Sequence, residues 1–238
     1  MAINKTVVLL VVPPATPFLL FADNPITMNT ADNFAVLAGT TVTNTGSTSV
    51  HGGDVGTSHG KTITGFPPGK IRPPNIARKA DPASRQAHSD LTTAYKAAAA
   101  MTSTHDLSGQ DLGGLTLLPG VYSFSSAATL NGTLTLNNQG NPRTQFVFQI
   151  GTTLTTGSDS AVVTINGSSG AAAKSAVTWQ VGSSATLGAE SSFEGNILAS
   201  ADITLHADAS IIDGSALTQY GKVILDSNKI TKRVLPIS

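Results

Sequence analysis

Short runs of alternating apolar and polar residues fill most of the chain and predict β-strands. From residue 115 to residue 230, such runs are separated by Gly, Asn, Asp and Ser, and residues 33–66 show the same pattern in shorter pieces. Alternation of this kind places apolar side chains on one face of a strand and polar side chains on the other. The chain is therefore predicted to be mostly β.

One segment has helical rather than strand periodicity. Asp81 is a residue type that caps helix N-termini, and Pro82 fits the first helical position. Apolar residues then recur on one helical face: Ala83, Ala87, Leu91, Ala94, Tyr95 and Ala98. This pattern predicts a helix over about 82–101, and its stripe of small residues predicts close packing along a flat sheet. The proline-rich, basic stretch 66–82 in front of it is expected to be an exposed crossing loop.

An imperfect internal repeat runs through the β-rich part. Residues 144–151 align with 177–182, and a short strand centred on threonine follows each of them. The strands of this series are 128–130, 154–156, 185–187, 203–205 and 223–225. Its last two steps are 18 and 20 residues, whereas the earlier steps are 26 and 31. A period near 20 is typical of a β-solenoid, in which coil stacks on coil, and the longer steps predict an irregular one.

The alternation directs the central residues of these strands outward. In 185–187, Ala185 and Leu187 face the core and Thr186 faces solvent, because neighbouring side chains of a strand point to opposite faces. The same holds for Thr129, Thr155 and Thr204. The residues two positions earlier point the same way: Ala127, Thr153, Ser184, Asp202 and Lys222. Stacked coils would bring these residues into two outward columns, whereas Thr156 departs from the pattern by turning its hydroxyl group inward.

A column of threonines has few physical uses. β-Branched threonine adopts few rotamers, so the array is rigid before it binds anything. Its methyl groups allow water to form a cage over them and its hydroxyl groups anchor that cage, so the ordered layer can merge with ice. Threonine is also common in strands for general reasons. The residues alone therefore leave ice binding and a glycan-binding or adhesive solenoid equally open.

Composition narrows the function classes. The chain has 238 residues, 14 basic and 14 acidic, so its net charge is zero and no basic nucleic-acid footprint is present. The absence of cysteine excludes disulfides and cysteine–zinc sites, the histidines lack zinc-like spacing, and neither a metal nor a cofactor is expected. A glycan-cleaving enzyme needs two converging carboxylates. The candidate carboxylates instead fit turns at coil corners: Glu190, Glu194, Asp202, Asp208 and Asp213.

The N-terminus has the pattern of an export signal. Residues 1–22 place Lys5 before an apolar run and end on a small residue; a structural N-terminal strand is the alternative. No other segment approaches the ~20 apolar residues of a membrane span. We therefore expect a secreted domain over 23–238. Asn131 and Asn166 lie in N-glycosylation signals, and their modification stays open.

Seven short segments follow one another along the chain: 33–38 (NFAVLA), 53–58 (GDVGTS), 63–66 (ITGF), 90–95 (DLTTAY), 117–122 (LLPGVY), 146–150 (FVFQI) and 193–198 (FEGNIL). In this order they resemble the ice-binding (antifreeze) protein family of cold-adapted fungi, bacteria and algae. The resemblance covers about residues 30–230. It implies a discontinuous, right-handed β-solenoid of triangular cross-section with one long helix packed along it.

The resemblance also implies a function and a site. One flat face of the family fold binds ice, giving thermal hysteresis and inhibiting recrystallisation. Carried over by position, that face comprises Thr64, Thr129, Thr155, Thr186, Thr204 and Ile224, with Thr41 and Thr43 as the outward pair around Val42. Many members carry an inserted head before the helix. The link from 66 to 81 is too short for one, so we expect a monomer whose partner is ice, with no membrane or nucleic-acid partner.

Overall fold

The computed structural model describes residues 26–141, 144–167 and 176–232, and the expected signal segment 1–22 lies outside them. Within this part the chain forms one α-helix, α1 (Pro82–Ala100), a 3₁₀ helix (Asn29–Asn33) and 22 strands. The strands are β1 (Phe34–Ala38), β2 (Thr41–Thr45), β3 (Ser49–His51), β4 (Asp54–Thr57), β5 (Thr62–Thr64), β6 (Lys70–Ile71), β7 (Ala77–Lys79), β8 (His105–Asp106), β9 (Thr116–Leu117), β10 (Gly120–Phe124), β11 (Ala128–Leu130), β12 (Thr133–Asn137), β13 (Gln145–Ile150), β14 (Leu154–Thr156), β15 (Ala161–Ile165), β16 (Ala176–Val181), β17 (Ala185–Leu187), β18 (Ser192–Ala199), β19 (Ile203–Leu205), β20 (Ser210–Thr218), β21 (Val223–Asp226) and β22 (Lys229–Thr231).

The strands stack in parallel into three faces. The threonine face has the order β11-β14-β17-β19-β21-β2-β5. The second face, on which the helix packs, is the helix face and has the order β8-β10-β13-β16-β18-β20-β1-β4-β7. The third, the side face, contains β9, β12, β15, β22, β3 and β6 together with the first halves of β18 and β20. The two long strands bend across the corner between side and helix faces. At that bend Gly195 has φ +107°, and a Cβ there would lie 2.7 Å from the Val177 side chain, so only glycine fits.

The coils do not stack in chain order. The C-terminal β22 pairs with β20 on one side and with β3 on the other, while the N-terminal β1 pairs with β20 and β4. One coil is therefore composed of both chain ends, and the N-terminal strands extend the solenoid beyond the last C-terminal coil. The predicted β-solenoid with one helix along it is confirmed, as is its discontinuity.

An aromatic ladder fills the interior beneath the helix face. Ring centroids lie 5.5 Å apart between Tyr122 and Phe148, 3.8 Å between Phe148 and Trp179, and 4.8 Å between Trp179 and Phe193. Trp179 is fully buried, and its indole N–H donates to the Glu194 carbonyl at 3.0 Å. The predicted alignment of Trp179 with Phe148 at a core position is confirmed by their pairing in β16 and β13.

Helix α1 lies along the helix face, and the predicted helix is confirmed. The Ser84 amide donates to the Asp81 carboxylate at 2.8 Å, which caps the N-terminus. Its buried face includes Ala87, Leu91, Ala94 and Ala98, as predicted, but Ser84 is buried in place of Ala83. Gln149 on β13 donates its amide to the Ala98 and Met101 carbonyls, at 2.8 and 2.7 Å. These bonds satisfy carbonyls that a helix end leaves unpaired. No helix in the described residues is long and apolar enough to span a membrane.

The stretch 66–82 is largely exposed, as expected, but the prediction that it is only a loop is wrong. This stretch contains β6 and β7, which add a last partial coil. The Lys70 amide donates to the Thr48 carbonyl at 2.7 Å, and the Val55 amide donates to the Ile76 carbonyl at 3.1 Å. The open end of a solenoid presents unpaired backbone groups, and these recruit the passing chain despite its prolines.

Candidate functional site

The threonine face aligns seven outward side chains in what we name the central column. Consecutive members are paired across neighbouring strands: Thr129, Thr155, Thr186, Thr204, Ile224, Thr43 and Thr64. Neighbouring strands lie about 4.8 Å apart, so the column extends over about 30 Å. The structure thus brings the N-terminal Thr43 and Thr64 into line with the four threonines of the C-terminal repeat.

A second line of side chains, the flanking column, runs beside the first. Backbone amides of residues 128, 154, 185 and 203 donate to the carbonyls of residues 153, 184, 202 and 222, and Thr41 pairs with Thr62. The column comprises Ala127, Thr153, Ser184, Asp202, Lys222, Thr41 and Thr62. All twelve predicted site residues therefore lie on this one face. The face also contains two residues beyond those twelve, Thr62 and Lys222. The alternation around Ile63 could have identified Thr62, and the sequence already indicates that Lys222 points outward.

The core beneath the central column holds it in place. Ala128 and Leu130, on either side of Thr129, are buried, and the same is true of the neighbours of Thr155 and Thr186. Thr156, whose inward hydroxyl group departs from the pattern, is 3% exposed, and its oxygen accepts the Gly188 amide at 2.9 Å. A buried hydroxyl group that is hydrogen-bonded costs little stability, so this departure does not disturb the face.

Asp111 caps one end of the central column by a bridge to Thr129. The Thr129 hydroxyl donates to one carboxylate oxygen at 2.7 Å, and the Gly113 amide donates to the other at 2.7 Å. Asn131 adds its backbone amide and its side-chain amide, at 3.0 and 2.6 Å. Partial burial opposes ionisation of Asp111, but these hydrogen bonds outweigh it and hold the pKa of the carboxyl below its usual value. The strand pattern does not identify Asp111, because it lies outside the strands.

We expect Asp111→Asn to destabilise the protein by about 1–2 kcal/mol at neutral pH, since hydrogen bonds to an ionised carboxylate are lost. Because the folded-state pKa of Asp111 is lowered, its contribution is present above the ordinary aspartate value of about 3.9. It is lost as pH falls through the lower folded-state value. Thermal melts between pH 7 and pH 2 should show a gap between the two proteins that closes only in acid. An unchanged gap at the lowest pH would contradict this account.

Within the two columns, charged side chains occur at one place. Of the fourteen side chains in the two columns, Asp202 and Lys222 alone are charged, and none is aromatic. Lys222 Nζ lies 3.9 Å from the Asp202 carboxylate, and the Lys222 backbone amide donates to that carboxylate at 3.0 Å. Both side chains are close to half exposed, at 47% and 44%.

Two surface cavities of the described residues lie away from this face. These cavities, of about 600 and 440 Å³, are lined by residues of the helix face, α1 and adjoining loops, and neither includes a residue of the two columns. Within the described residues, no group of three or more His, Asp or Glu side chains could hold a metal ion. Neither cavity therefore offers a small-molecule site on the threonine face.

Comparisons with known proteins agree on one family. The model of the ice-binding-like family matches residues 36–231. An ice-binding protein of Nostoc sp. (strain HG1) is 50% identical over 204 residues, which cover 86% of this chain and 73% of the relative.

Solved structures give the same result. The ice-binding protein of the Antarctic ascomycete Antarctomyces psychrotrophicus has a TM-score of 0.80 at 41% identity, covering 87% of this chain and 98% of its own. An ice-binding protein from an Antarctic biological consortium has a TM-score of 0.83 at 38% identity, covering 94% and 96%. The matched range 36–231 includes the whole central column. The chain therefore belongs to the ice-binding-like family.

Proposed function

We propose that this protein is an antifreeze-type protein that adsorbs to ice through the threonine face. The observation that carries the proposal is the central column, in which six threonines and one isoleucine stand in register on a parallel sheet. Relatives that are named ice-binding proteins support it.

The column suits ice because its groups are fixed before binding. Threonine and isoleucine are β-branched and adopt few rotamers on a strand, and the buried residues beneath them hold the backbone. Methyl groups at a repeat of about 4.8 Å order water without binding it strongly, and hydroxyl groups tie that layer to the protein. Adsorption then sums many weak contacts, and little conformational entropy is lost because the surface is already ordered.

Adsorbed molecules pin the growing ice front. Ice between them must grow as a curved surface, which is less stable than a flat one, so the freezing point falls below the melting point. The same pinning slows the exchange of water between grains and inhibits recrystallisation. This action uses no cofactor and no covalent step.

We further propose that the protein acts as a secreted monomer. The pattern of residues 1–22 supports export, and ice forms first in extracellular water. All fourteen side chains of the two columns come from one chain, so a second copy is not needed to complete the face.

The alternative of a carbohydrate-binding solenoid lacks support. Sugar sites commonly stack a ring on an exposed aromatic side chain, and none of the fourteen side chains of the two columns is aromatic. Trp179, the one tryptophan of the chain, is fully buried between aromatic rings. The geometry thus favours ice over sugar.

Nanolitre osmometry tests the proposal. Purified protein should open a gap between the melting and freezing temperatures of a single ice crystal, and the crystal should become faceted within the gap. The protein should also be incorporated into slowly growing ice, whereas a non-binding protein of similar size is excluded. Round crystals without a gap between the melting and freezing temperatures, together with exclusion of the protein from growing ice, would contradict the proposal.

A further inference from the structure

The neutral surface of the threonine face is interrupted near its middle. The strand carrying Thr204 contributes Asp202 to the flanking column, and the next strand contributes Lys222 beside Ile224. That second strand presents no hydroxyl group in either column. On one side of this interruption lie the three strands centred on Thr129, Thr155 and Thr186, and on the other side lie β2 and β5.

Ion hydration differs from hydration of the threonine columns. A half-exposed carboxylate or ammonium group orients its nearest water molecules by charge, and these orientations do not continue an ice lattice. The Lys222 ammonium group also has a long, flexible stem, so its position above the sheet is less fixed than that of a threonine methyl group. Water over these two strands is therefore ordered differently from water over their neighbours.

We propose that Asp202 and Lys222 form a charged seam that divides the threonine face into two separate ice-docking patches and limits the strength of adsorption. The larger patch contains three strands, with Thr129, Thr155 and Thr186 at its centre. The smaller contains Thr41, Thr43, Thr62 and Thr64, four threonines on two paired strands. This inference rests on the proposed function and concerns the same face.

The geometry of the pair indicates that its two charges contribute little to the stability of the fold. The Nζ–Oδ2 distance of 3.9 Å is long for an ion pair, and both side chains are about half exposed. Exposed pairs of this kind contribute little to stability. The contact that ties the two strands is the hydrogen bond from the Lys222 backbone amide to Asp202 Oδ1, at 3.0 Å. An asparagine at position 202 retains that acceptor.

The test is the double variant Asp202→Asn with Lys222→Thr, which removes both charges and keeps the net charge at zero. In this variant the uncharged part of the threonine face extends over seven strands, whereas the larger patch of the unmodified protein has three. Thermal hysteresis at equal molar concentration should therefore rise by about twofold or more. Its melting temperature should stay within about 3 °C of the parent value, as expected for loss of an exposed pair. Asp202→Asn alone leaves Lys222 charged and should give no increase.

A matched control removes one acid and one base outside both columns. Asp208 is exposed at a corner of the solenoid, and Lys229 is exposed on the side face. Asp208 has a φ of +59°, a conformation that asparagine also adopts. The variant Asp208→Asn with Lys229→Thr should leave hysteresis unchanged. The proposal of a charged seam would be overturned if the Asp202→Asn, Lys222→Thr variant folded but showed no increase in hysteresis, or if the control variant showed an equal increase. Absence of hysteresis in the unmodified protein would instead overturn the proposed function.

Discussion

A tyrosine in place of Thr155 is expected to remove most of the thermal hysteresis and to leave the melting temperature of the protein nearly unchanged. Thr155 is exposed and lies between Thr129 and Thr186 in the central column. A phenol ring there would extend beyond the methyl groups of both neighbours, which are about 4.8 Å away. It would hold the ice surface off the array. Osmometry measures the loss, and circular dichroism measures the melting temperature.

Thr135→Tyr is the matched control for this variant. Thr135 is an outward threonine of the side face and is paired on both sides, with Thr116 and Val163. The same substitution there should keep hysteresis at the parent level. Full activity of Thr155→Tyr would reject the threonine face as the ice-binding surface, and loss of activity in Thr135→Tyr would point to the side face.

The strand pattern predicts directions well because it is local. Outward placement of Thr129, Thr155, Thr186 and Thr204 follows from period-two alternation within strands of three residues, and the structure agrees. The helix also follows from local signals, namely the Asp81 cap and the spacing of its alanines. The threonine strands between residues 128 and 225 could therefore be derived from the residues themselves.

Pairing between distant parts of the chain could not be derived in this way. Thr43 stands next to Ile224 because β2 packs on β21, although 181 residues separate them in the sequence. No period links the two positions, so family resemblance alone predicts that Thr43 and Thr64 belong to the face. Asp111 lies outside the strands and reaches Thr129 of β11 by an isolated bridge. The strands in 66–82 form because a solenoid end offers them a partner, which the proline-rich sequence does not indicate.

Trp179→Ala is expected to destabilise the fold strongly. The indole ring is fully buried between Phe148 and Phe193, and its removal leaves a cavity in the aromatic ladder and takes away the hydrogen bond to the Glu194 carbonyl. Truncation of a buried aromatic residue costs about 3–5 kcal/mol. For a chain of this size, that loss lowers the melting temperature by about 6–20 °C. Calorimetry or circular dichroism measures the change.

The same variant separates stability from activity. Hysteresis is measured near 0 °C, where the weakened fold is still populated, and the threonine face is formed by other residues. Trp179→Ala should therefore retain hysteresis per folded molecule close to the parent value, whereas Thr155→Tyr loses hysteresis and keeps its melting temperature. Trp179→Phe keeps one stacked ring but loses the second ring of the indole and the hydrogen bond to Glu194, so its melting temperature should fall less than that of Trp179→Ala. A small effect of Trp179→Ala on melting would show that the aromatic ladder does not stabilise the coils.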